Sequence, residues 1–382
     1  MENNKLGIYV HIPFCERKCI YCDFLSFSTE MYGEAGIQKY FDTLTLEAKK
    51  KKENINNKVK SLFIGGGTPS IVDAKYIYNL IVKLKEIFTF SKDAELSIEV
   101  NPGTVDKDDF KIYKEAGINR ISFGVQSLDK DLLKFLRRIH TREDAIKAIL
   151  NAQEAGIENI NADILMGIPN QSLDSFMSTL DELTRLGLTH ISAYSLILEE
   201  DTVLYTLIDK GLVKMPEEEL DRDMYHNCTE FLKNRGYEHY EISNFAKPGY
   251  ECKHNFLYWD CDEYIGLGLG ASSYLNSVRF KNTSDMPSYL NQNFSQIEPE
   301  HLDEIDKMNE FMLLGFRLKR GPSAELFYNR FKKYYHIEFK DTLDKLMDRG
   351  LVYKKGERED FVSYCLTEKG FDLANQVFME FV

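Results

Sequence analysis

Three cysteines near the N-terminus have the types and spacing that most directly suggest chemistry. Cys15, Cys19 and Cys22 lie in the stretch CERKCIYCDF, and the position two beyond Cys22 is Phe24. Soft thiolate ligands favour iron–sulfur clusters or zinc, but a structural zinc normally takes four protein ligands and no fourth cysteine stands nearby. Three thiolates on a [4Fe–4S] cluster leave one iron open to another ligand. We therefore expect such a cluster, with zinc or a fortuitous spacing as the alternatives.

The composition of the chain limits its compartment and its partners. Seven cysteines in 382 residues make an odd number, and the crowding of three of them points to metal binding and not to disulfides. The start, MENNKLGIYV, lacks the layout of a signal peptide, and no run approaches about 18 apolar residues. We expect a cytoplasmic protein. The net charge of −13 disfavours nucleic acid as the partner, because phosphate binding relies on clustered basic residues.

Further polar or glycine groups follow successive strand-like runs. GGGTPS (65–70) closes the second run, Glu99 the third and Gln126 the fourth, while Asp163 lies within the fifth. The carboxyl ends of parallel strands are where βα folds place their chemistry. We expect a binding site at this rim, with the glycine amides free for a ligand and Glu99 able to accept the hydroxyls of a ribose.

Each of these groups also has a purely structural alternative. The three glycines could simply form a tight turn between a strand and a helix. Glu99 could cap a helix or form a salt bridge in a loop. The grouping of several such residues at one rim favours the binding site.

The elements that must position these residues are alternating strands and helices. Apolar, β-branched runs occur at 6–13, 61–67, 94–100, 118–126, 157–166 and 190–198. Helical patterns lie between them, for example at 73–88, 141–156 and 172–187. Six such alternations predict an α/β fold with a parallel sheet and right-handed crossovers. The pattern does not distinguish a full or partial (β/α) barrel from an open doubly wound sheet.

The chain changes character after about residue 200. One long helix is predicted at 216–236 and a second at 301–321, and a glycine-rich run covers 264–275. The end, GLVYKKGEREDFVSYCLTEKG, predicts two short strands around a charged turn. Helices followed by a hairpin predict a small winged-helix-like C-terminal module.

The combination of motifs resembles a known superfamily. A C-x3-C-x2-C motif after the first strand and GGGTP after the second resemble the radical S-adenosylmethionine (SAM) enzymes. The resemblance implies a partial (β/α)6 TIM-like barrel, in which three cysteines hold a [4Fe–4S] cluster and the amino and carboxylate groups of SAM take the open iron. It also implies that a reduced cluster can cleave SAM to methionine and a 5′-deoxyadenosyl radical.

A narrower resemblance is to the oxygen-independent coproporphyrinogen III oxidase family. It rests on YVHIPFCERKCIYCDF, GGGTPS, SIEVNPG, FGVQS and ADILMGIPNQ, in order along the chain. True oxidases carry a further cysteine where this chain has Phe24. A phenylalanine there, together with HNFLYW from His254 to Trp259, resembles the haem-chaperone (HemW-like) branch.

The resemblance implies roles for individual residues. Cys15, Cys19 and Cys22 would hold the cluster. The SAM contacts would be Tyr9, Tyr21, Gly66, Gly67, Thr68, Glu99, Gln126, Arg138 and Asp163. Whether one or two SAM molecules bind is open.

His254 is the candidate haem ligand, because neutral imidazole commonly ligates haem iron. Asn255 could orient its ring, and Tyr258 and Trp259 could stack on the porphyrin. From composition alone, a satisfied loop histidine among core aromatics is the more common situation. Cys252 is a second-choice thiolate ligand, and a free buried cysteine is the alternative.

The resemblance divides the chain into three parts. It predicts a radical SAM core at 1–235, a barrel-closing extension with the HNxxYW motif at 236–299, and a C-terminal module at 300–382. The module could dock a partner or cover one end of the barrel.

Two functions from different classes follow from the resemblance. The favoured one is a carrier that binds haem and passes it to an acceptor, which would be a respiratory haem protein reached by transient association with the membrane. The competitor is an enzyme, a coproporphyrinogen III oxidase that decarboxylates propionate side chains, and Phe24 argues against it. A radical SAM reaction on another tetrapyrrole is a third possibility.

Overall fold

The computed structural model describes residues 5–53, 55–356 and 362–382. The strands are β1 Lys5–Ile12, β2 Phe14–Cys15, β3 Phe27–Ser28, β4 Lys58–Gly66, β5 Phe90–Val100, β6 Arg120–Gln126, β7 Asn159–Met166, β8 His190–Ser195, β9 Glu238–Glu241, β10 Asn244–Ala246, β11 Glu263–Leu267, β12 Ser272–Leu275, β13 Val278–Lys281, β14 Ile297–His301, β15 Val352–Lys355 and β16 Ser363–Leu366.

The helices alternate with these strands in the first half and dominate the last quarter. They are α1 Thr29–Lys52, α2 Ala74–Ile87, α3 Lys107–Ala116, α4 Lys130–Phe135, α5 Arg142–Glu154, α6 Leu173–Arg185, α7 Val203–Asp209, α8 Glu218–Lys233, α9 Lys253–Trp259, α10 Met286–Leu290, α11 Glu304–Gly315, α12 Ala324–Phe331, α13 Tyr335–Glu338, α14 Lys340–Asp348, α15 Glu368–Asp372 and α16 Ala374–Phe378. Within the described residues, no helix is both long and apolar enough to cross a bilayer.

One large sheet organises the fold. Its strand order is β14-β13-β12-β11-β1-β4-β5-β6-β7-β8-β10-β9. The pairs from β1 through β8 in this order are parallel, as is the pair of β11 with β1. The outer strands β12 to β14 at one edge, and β10 and β9 at the other, pair antiparallel. The predicted α/β fold with six parallel strands is thus confirmed.

Side chains alternate along each strand between the hydrophobic core, on one face of the sheet, and a cavity on the other face. In β6, Ile121, Phe123 and Val125 are fully buried against the helices. Arg120, Ser122, Gly124 and Gln126, on the opposite face, line a cavity. Because successive strand residues point to opposite faces, a single strand supplies both the hydrophobic core and the polar lining.

Local sequence sets the helix boundaries. Helix α5 begins at a capping box in which Thr141 and Asp144 satisfy each other's backbone amides. Helix α11 ends at Gly315, short of the predicted end at 321. A Cβ on Gly315 would lie 2.7 Å from the Cα of Pro322, so the chain turns and packs back on the helix there.

The C-terminal residues have a core of their own. Met308, Phe311, Phe327 and Leu346 belong to an apolar cluster that runs to Phe381, and β15 and β16 pair as an antiparallel hairpin. The predicted charged turn, at 357–361, and residues 1–4 lie outside the described residues. Residues 238–301 add strands to both edges of the large sheet.

Candidate functional site

A cavity of about 520 Å³ lies on the polar face of the parallel strands. The cysteines, the SAM contacts and the haem ligand that the sequence singled out all border it. They are Cys15, Cys19, Cys22, Tyr9, Tyr21, Gly66, Gly67, Thr68, Glu99, Gln126, Arg138, Asp163 and His254. The carboxyl ends of the strands, where the cysteine loop lies, form one end of the cavity, and their amino ends form the other.

Hydrogen bonds from His11 attach the cysteine loop, residues 13–26, to β1. His11 on β1 bonds through its two ring nitrogens to the Tyr9 hydroxyl at 3.0 Å and to the Leu25 carbonyl at 2.8 Å. The amide of Phe27 donates to Pro13 O at 2.8 Å and closes the loop. His11 thus anchors the loop, and burial lowers the pKa of its ring.

The thiols of the loop meet donors from two other elements. Arg138 Nη1 donates to Cys19 Sγ at 3.4 Å, and the Thr68 hydroxyl lies 3.5 Å from Cys15 Sγ. Burial raises the pKa of Cys22 to about 11, so an uncharged thiol is favoured unless a metal or cation stabilises the thiolate.

The donor set fits an iron–sulfur cluster better than a single ion. Among the described residues, no group of three or more His, Cys, Asp or Glu is gathered closely enough to hold one metal ion. A [4Fe–4S] cluster takes one thiolate on each of its irons, so it suits three thiols that line one end of a cavity without converging on a point. Arg138 adds a positive charge beside them.

The glycine turn after β4 brings two backbones together. Gly66 has φ of 115°, which favours glycine. A Cβ on Gly67 would lie 2.7 Å from Phe14 O and 3.0 Å from Cys15 Sγ. Gly67 and Thr68 donate their amides to Ile12 O and Phe14 O, and Gly66 donates to Glu99. These amides are therefore engaged within the protein, and the expectation that they are free for a ligand was wrong.

Two acids occupy the middle of the cavity. Glu99 Oε2 accepts from the Gly66 amide at 3.1 Å. Burial, and then the nearby Asp163, raise the pKa of Glu99 to about 8. Among the described residues no basic side chain lies within 4.0 Å of Glu99, and it caps no helix, so neither structural alternative for it holds. Asp163 accepts from Ser122 at 3.0 Å and Asn161 at 2.8 Å, and burial raises its pKa.

Gln126 has an unusual backbone for a residue with a side chain. Its φ is 65°, and the register between β6 and β7 shifts between Gly124 and Gln126. Such strain and bulges are concentrated at functional sites, where they re-aim side chains. At the same rim, the partly buried Tyr21 lies beside Arg138 and Cys19.

His254 lies at the opposite end of the cavity from the cysteines. Its helix α9 packs against the amino-terminal parts of β1 and β4, and the ring is 1% exposed. The ring stacks on Phe63 at a centroid distance of 5.2 Å. Nδ1 bonds to Ser61 Oγ at 2.7 Å and Nε2 to the Tyr258 hydroxyl at 2.9 Å. Burial, and then the charge of Arg120, lower the pKa of His254 to about 3, so the ring is neutral.

The neighbours of His254 differ from the sequence expectation in two respects. The ring is oriented by Ser61 and Tyr258, and not by Asn255. Trp259 does not border the cavity, and the Arg317 guanidinium lies 4.3 Å from its ring centroid. Cys252 is a free buried cysteine, 1% exposed, and burial raises the pKa of its thiol to about 12.

Several residues of the cavity lining were missed from the sequence. They are Phe63, Arg120, Ser122, Asn161, Ser192 and Tyr194. In RISFGVQ, the polar or small residues recur at every second position. Because alternate residues of a strand point to the same face, this period of two in an otherwise apolar strand predicts that Arg120 and Ser122 lie on the cavity side.

Comparisons with known proteins place the chain in a family. The model of the radical SAM superfamily matches residues 9–183. The haem chaperone HemW of Lactococcus lactis is 36% identical over 98% of this chain and 96% of its own length. The haem chaperone HemW of Bacillus subtilis is 33% identical over 98% of both chains.

A solved structure shares the fold. Coproporphyrinogen III oxidase HemN from Escherichia coli, a radical SAM enzyme, superposes with a TM-score of 0.82 over 99% of this chain and 90% of its own, at 23% identity. At that identity the likeness shows the fold alone. Since the sequence match to the chaperones extends over nearly the whole chain, the chain belongs to the haem chaperone HemW family of the radical SAM superfamily.

Proposed function

We propose that this protein binds haem and transfers it to an acceptor haem protein, and that it carries a [4Fe–4S] cluster with exchangeable SAM. The observation that supports this best is the 36% identity to a haem chaperone over 98% of the chain. Phe24, at the position where the oxidases carry a further cysteine, supports the same proposal.

In this proposal Cys15, Cys19 and Cys22 hold the cluster. Arg138 stabilises the thiolates by its charge and by the hydrogen bond to Cys19. When bound, the cluster supplies an iron that can take the amino and carboxylate groups of SAM and an electron for its cleavage. The close approach of Gly67 to Cys15 leaves no room for a side chain between the turn and the loop.

SAM would bind between the cysteine loop and the acids in the middle of the cavity. The residues proposed to contact it are Tyr9, Tyr21, Gly66, Gly67, Thr68, Glu99, Gln126, Arg138 and Asp163. Glu99 is suited to the ribose hydroxyls, because only one of its oxygens is engaged, by the Gly66 amide. A protonated Glu99 would also donate to one of these hydroxyls.

His254 is proposed as the haem ligand. Its depressed pKa keeps the imidazole neutral, as ligation requires. For ligation, Nδ1 would carry the proton and donate it to Ser61 Oγ, which leaves the lone pair of Nε2 for the iron, the usual arrangement around a ligating histidine. Nε2 is hydrogen-bonded to the Tyr258 hydroxyl, so Tyr258 must turn aside for iron to bind.

The remaining features of the proposal concern the whole chain. We propose a radical SAM core at 1–235, an extension at 236–299 and a C-terminal module at 300–382. The acceptor would be a respiratory haem protein, approached from the cytoplasm by transient association with the membrane.

The test is haem titration of anaerobically reconstituted protein, followed by the Soret band, for the wild type, His254→Ala and the surface control His226→Ala. We expect one haem per chain in the wild type and the control, and weaker binding with a shifted Soret band in His254→Ala. The same samples are assayed for SAM cleavage and for coproporphyrinogen III consumption. Consumption of coproporphyrinogen in step with methionine release, without haem binding, would show an oxidase instead.

A further inference from the structure

The amino end of the cavity contains a cation without a close counter-ion. Arg120, the first residue of β6, borders the cavity and is only 2% exposed. Among the described residues, no carboxylate oxygen lies within 4.0 Å of its nitrogens, and its Nε has no hydrogen-bond partner. An isolated buried charge is expensive. No direct ion pair occupies the guanidinium, so it is available to an anion that enters the cavity.

Two acids that act on Arg120, Glu95 and Asp163, accept hydrogen bonds from other donors. Glu95 accepts from the backbone amides of Lys253 at 3.0 Å and His254 at 3.1 Å, at the start of α9. Asp163 accepts from Ser122 and Asn161. Both acids contribute to the field at Arg120, but neither makes a direct ion pair with it. The charge of Arg120 in turn helps to lower the pKa of His254 and of His190, after burial.

The strand neighbour of Arg120 is also a buried polar residue. Ser97 on β5 is the register partner of Arg120, and its hydroxyl is fully buried without a hydrogen-bond partner. Ser97 is not among the residues that border the cavity, so the Arg120 guanidinium is the group that a ligand there would meet. A guanidinium binds a carboxylate well, because it can donate two parallel hydrogen bonds to it.

Arg120 lies at the opposite end of β6 from Gln126, six residues away, about 20 Å at the rise of an extended strand. Two other proposed SAM contacts, Glu99 and Asp163, are close enough for their charges to interact with that of Arg120. The cavity wall also includes the aromatic rings of Tyr9, Phe63 and Tyr258. A ligand with a flat apolar body and a carboxylate would match both the rings and the guanidinium.

We propose that Arg120 forms a carboxylate-binding site at the amino end of the cavity, which holds a propionate side chain of the bound tetrapyrrole. The identity of the tetrapyrrole as haem rests on the proposed function. The carboxylate site itself rests on the buried guanidinium, which borders the cavity and has an unpartnered Nε.

The experiment compares haem with haem dimethyl ester, which has the same ring and iron but no free carboxylate. Affinities for both are measured by Soret titration of reconstituted wild type, Arg120→Gln and Arg142→Gln. Arg142 is an exposed arginine on α5 that pairs with Glu182, so its variant controls for the loss of one positive charge. SAM affinity is measured on each variant.

We expect the wild type and Arg142→Gln to bind haem about tenfold or more tightly than the ester, as for a lost charged hydrogen bond. Arg120→Gln should lose this preference and keep its SAM affinity. An unchanged preference in Arg120→Gln overturns the site while leaving haem binding intact. A loss of SAM affinity with the preference retained would assign Arg120 to the cofactor and overturn the site.

Two further arms keep the test decisive. If Arg120→Gln does not fold, by circular dichroism, Arg120→Lys is used. Lysine lacks the bidentate fork, so its preference should be weaker than in the wild type, and an equal preference overturns the site. If the wild type binds neither haem compound, the proposed function fails. The site is then tested with coproporphyrin III against its tetramethyl ester, and no preference dependent on Arg120 overturns it.

Discussion

Glu99 lies between a backbone amide and a second acid, in surroundings that disfavour its charge. Burial and Asp163 raise its pKa to about 8, from an ordinary value of 4.5. At pH values between 4.5 and about 8, Glu99 is protonated in the folded protein and ionised in the unfolded chain. Its contribution to stability therefore falls as pH rises from about 4.5 to about 8.

Replacement by glutamine should remove this dependence. In protein without cofactors, the free energy of unfolding of Glu99→Gln relative to the wild type should increase from pH 5 to pH 8, by at most about 1.4 kcal/mol per pH unit. Urea unfolding of both proteins at several pH values measures it. Parallel pH curves for the two proteins would show that Glu99 is ionised throughout.

The close packing of Gly67 against the cysteine loop leads to a second prediction. In Gly67→Ala, the new methyl would meet Phe14 O and Cys15 Sγ, so the cysteine loop must move. We expect a stability loss of about 1–3 kcal/mol and less than half the wild-type iron and sulfide after reconstitution.

Gly103→Ala is the matched control for Gly67→Ala. Its new methyl would meet only side-chain and Cα atoms of Ile139 and His140, at 3.3 Å and beyond. Iron content should stay near the wild-type value. Equal iron loading in the two variants would rule out the steric role of Gly67.

At the scale of elements, α9 is a short helix fixed at both ends. Its first amides donate to Glu95 on β5, and its last residue, Trp259, contacts Arg317. Seven residues are too few for an independent helix. The helix therefore depends on these tertiary contacts.

Glu95→Ala should detach the start of α9. Two buried amides would lose their acceptor, which costs about 1–3 kcal/mol each at most. The chain has a single tryptophan, so the fluorescence spectrum of Trp259 reports the displacement directly. Asp106→Ala, which removes the cap of the distant helix α3, should cost about 1 kcal/mol and leave the spectrum unchanged. Identical spectra for Glu95→Ala and the wild type would contradict this role of Glu95.

The elements were predictable to different extents. The parallel strands and their helices carry strong periodic patterns, and their predicted and observed positions agree to within a few residues. The end of α11 at Gly315 was not predictable, because it depends on contact with Pro322. Most of the cavity residues lie in local motifs and could be predicted. The roles of Arg120 and Ser61 could not, because they depend on residues of other elements. The bonds of His254 to Ser61 and Tyr258 likewise required the three-dimensional arrangement.

At the scale of the molecule, Arg317 joins the C-terminal residues to the sheet. It follows α11, lies over the Trp259 ring, and approaches the buried Glu241 with a nitrogen–oxygen distance of 3.8 Å. The Ile242 amide donates to its carbonyl. Burial raises the pKa of Glu241, and the charge of Arg317 opposes this.

Arg317→Met should leave Glu241 buried without its cation. We expect a loss of about 2–3 kcal/mol in the free energy of unfolding, somewhat below the usual range for a broken buried pair, because Arg317 is partly exposed. Adding Glu241→Gln should recover part of the loss, since the uncompensated charge is then gone. Urea unfolding of both single variants and the double variant measures the coupling. Strictly additive losses would show that the two residues act independently.

Helix α9 lies across the amino end of the cavity, and His254 and Cys252 there are each 1% exposed. A molecule seated against Arg120 would then leave past the cysteine loop, at the other end of the cavity. A second molecule bound beside the cysteine loop would block that route. The dwell time of the deeper molecule would then depend on the concentration of the second one, without any change in its own contacts. Loading and unloading would then follow a fixed order, in which the molecule that binds last is released first.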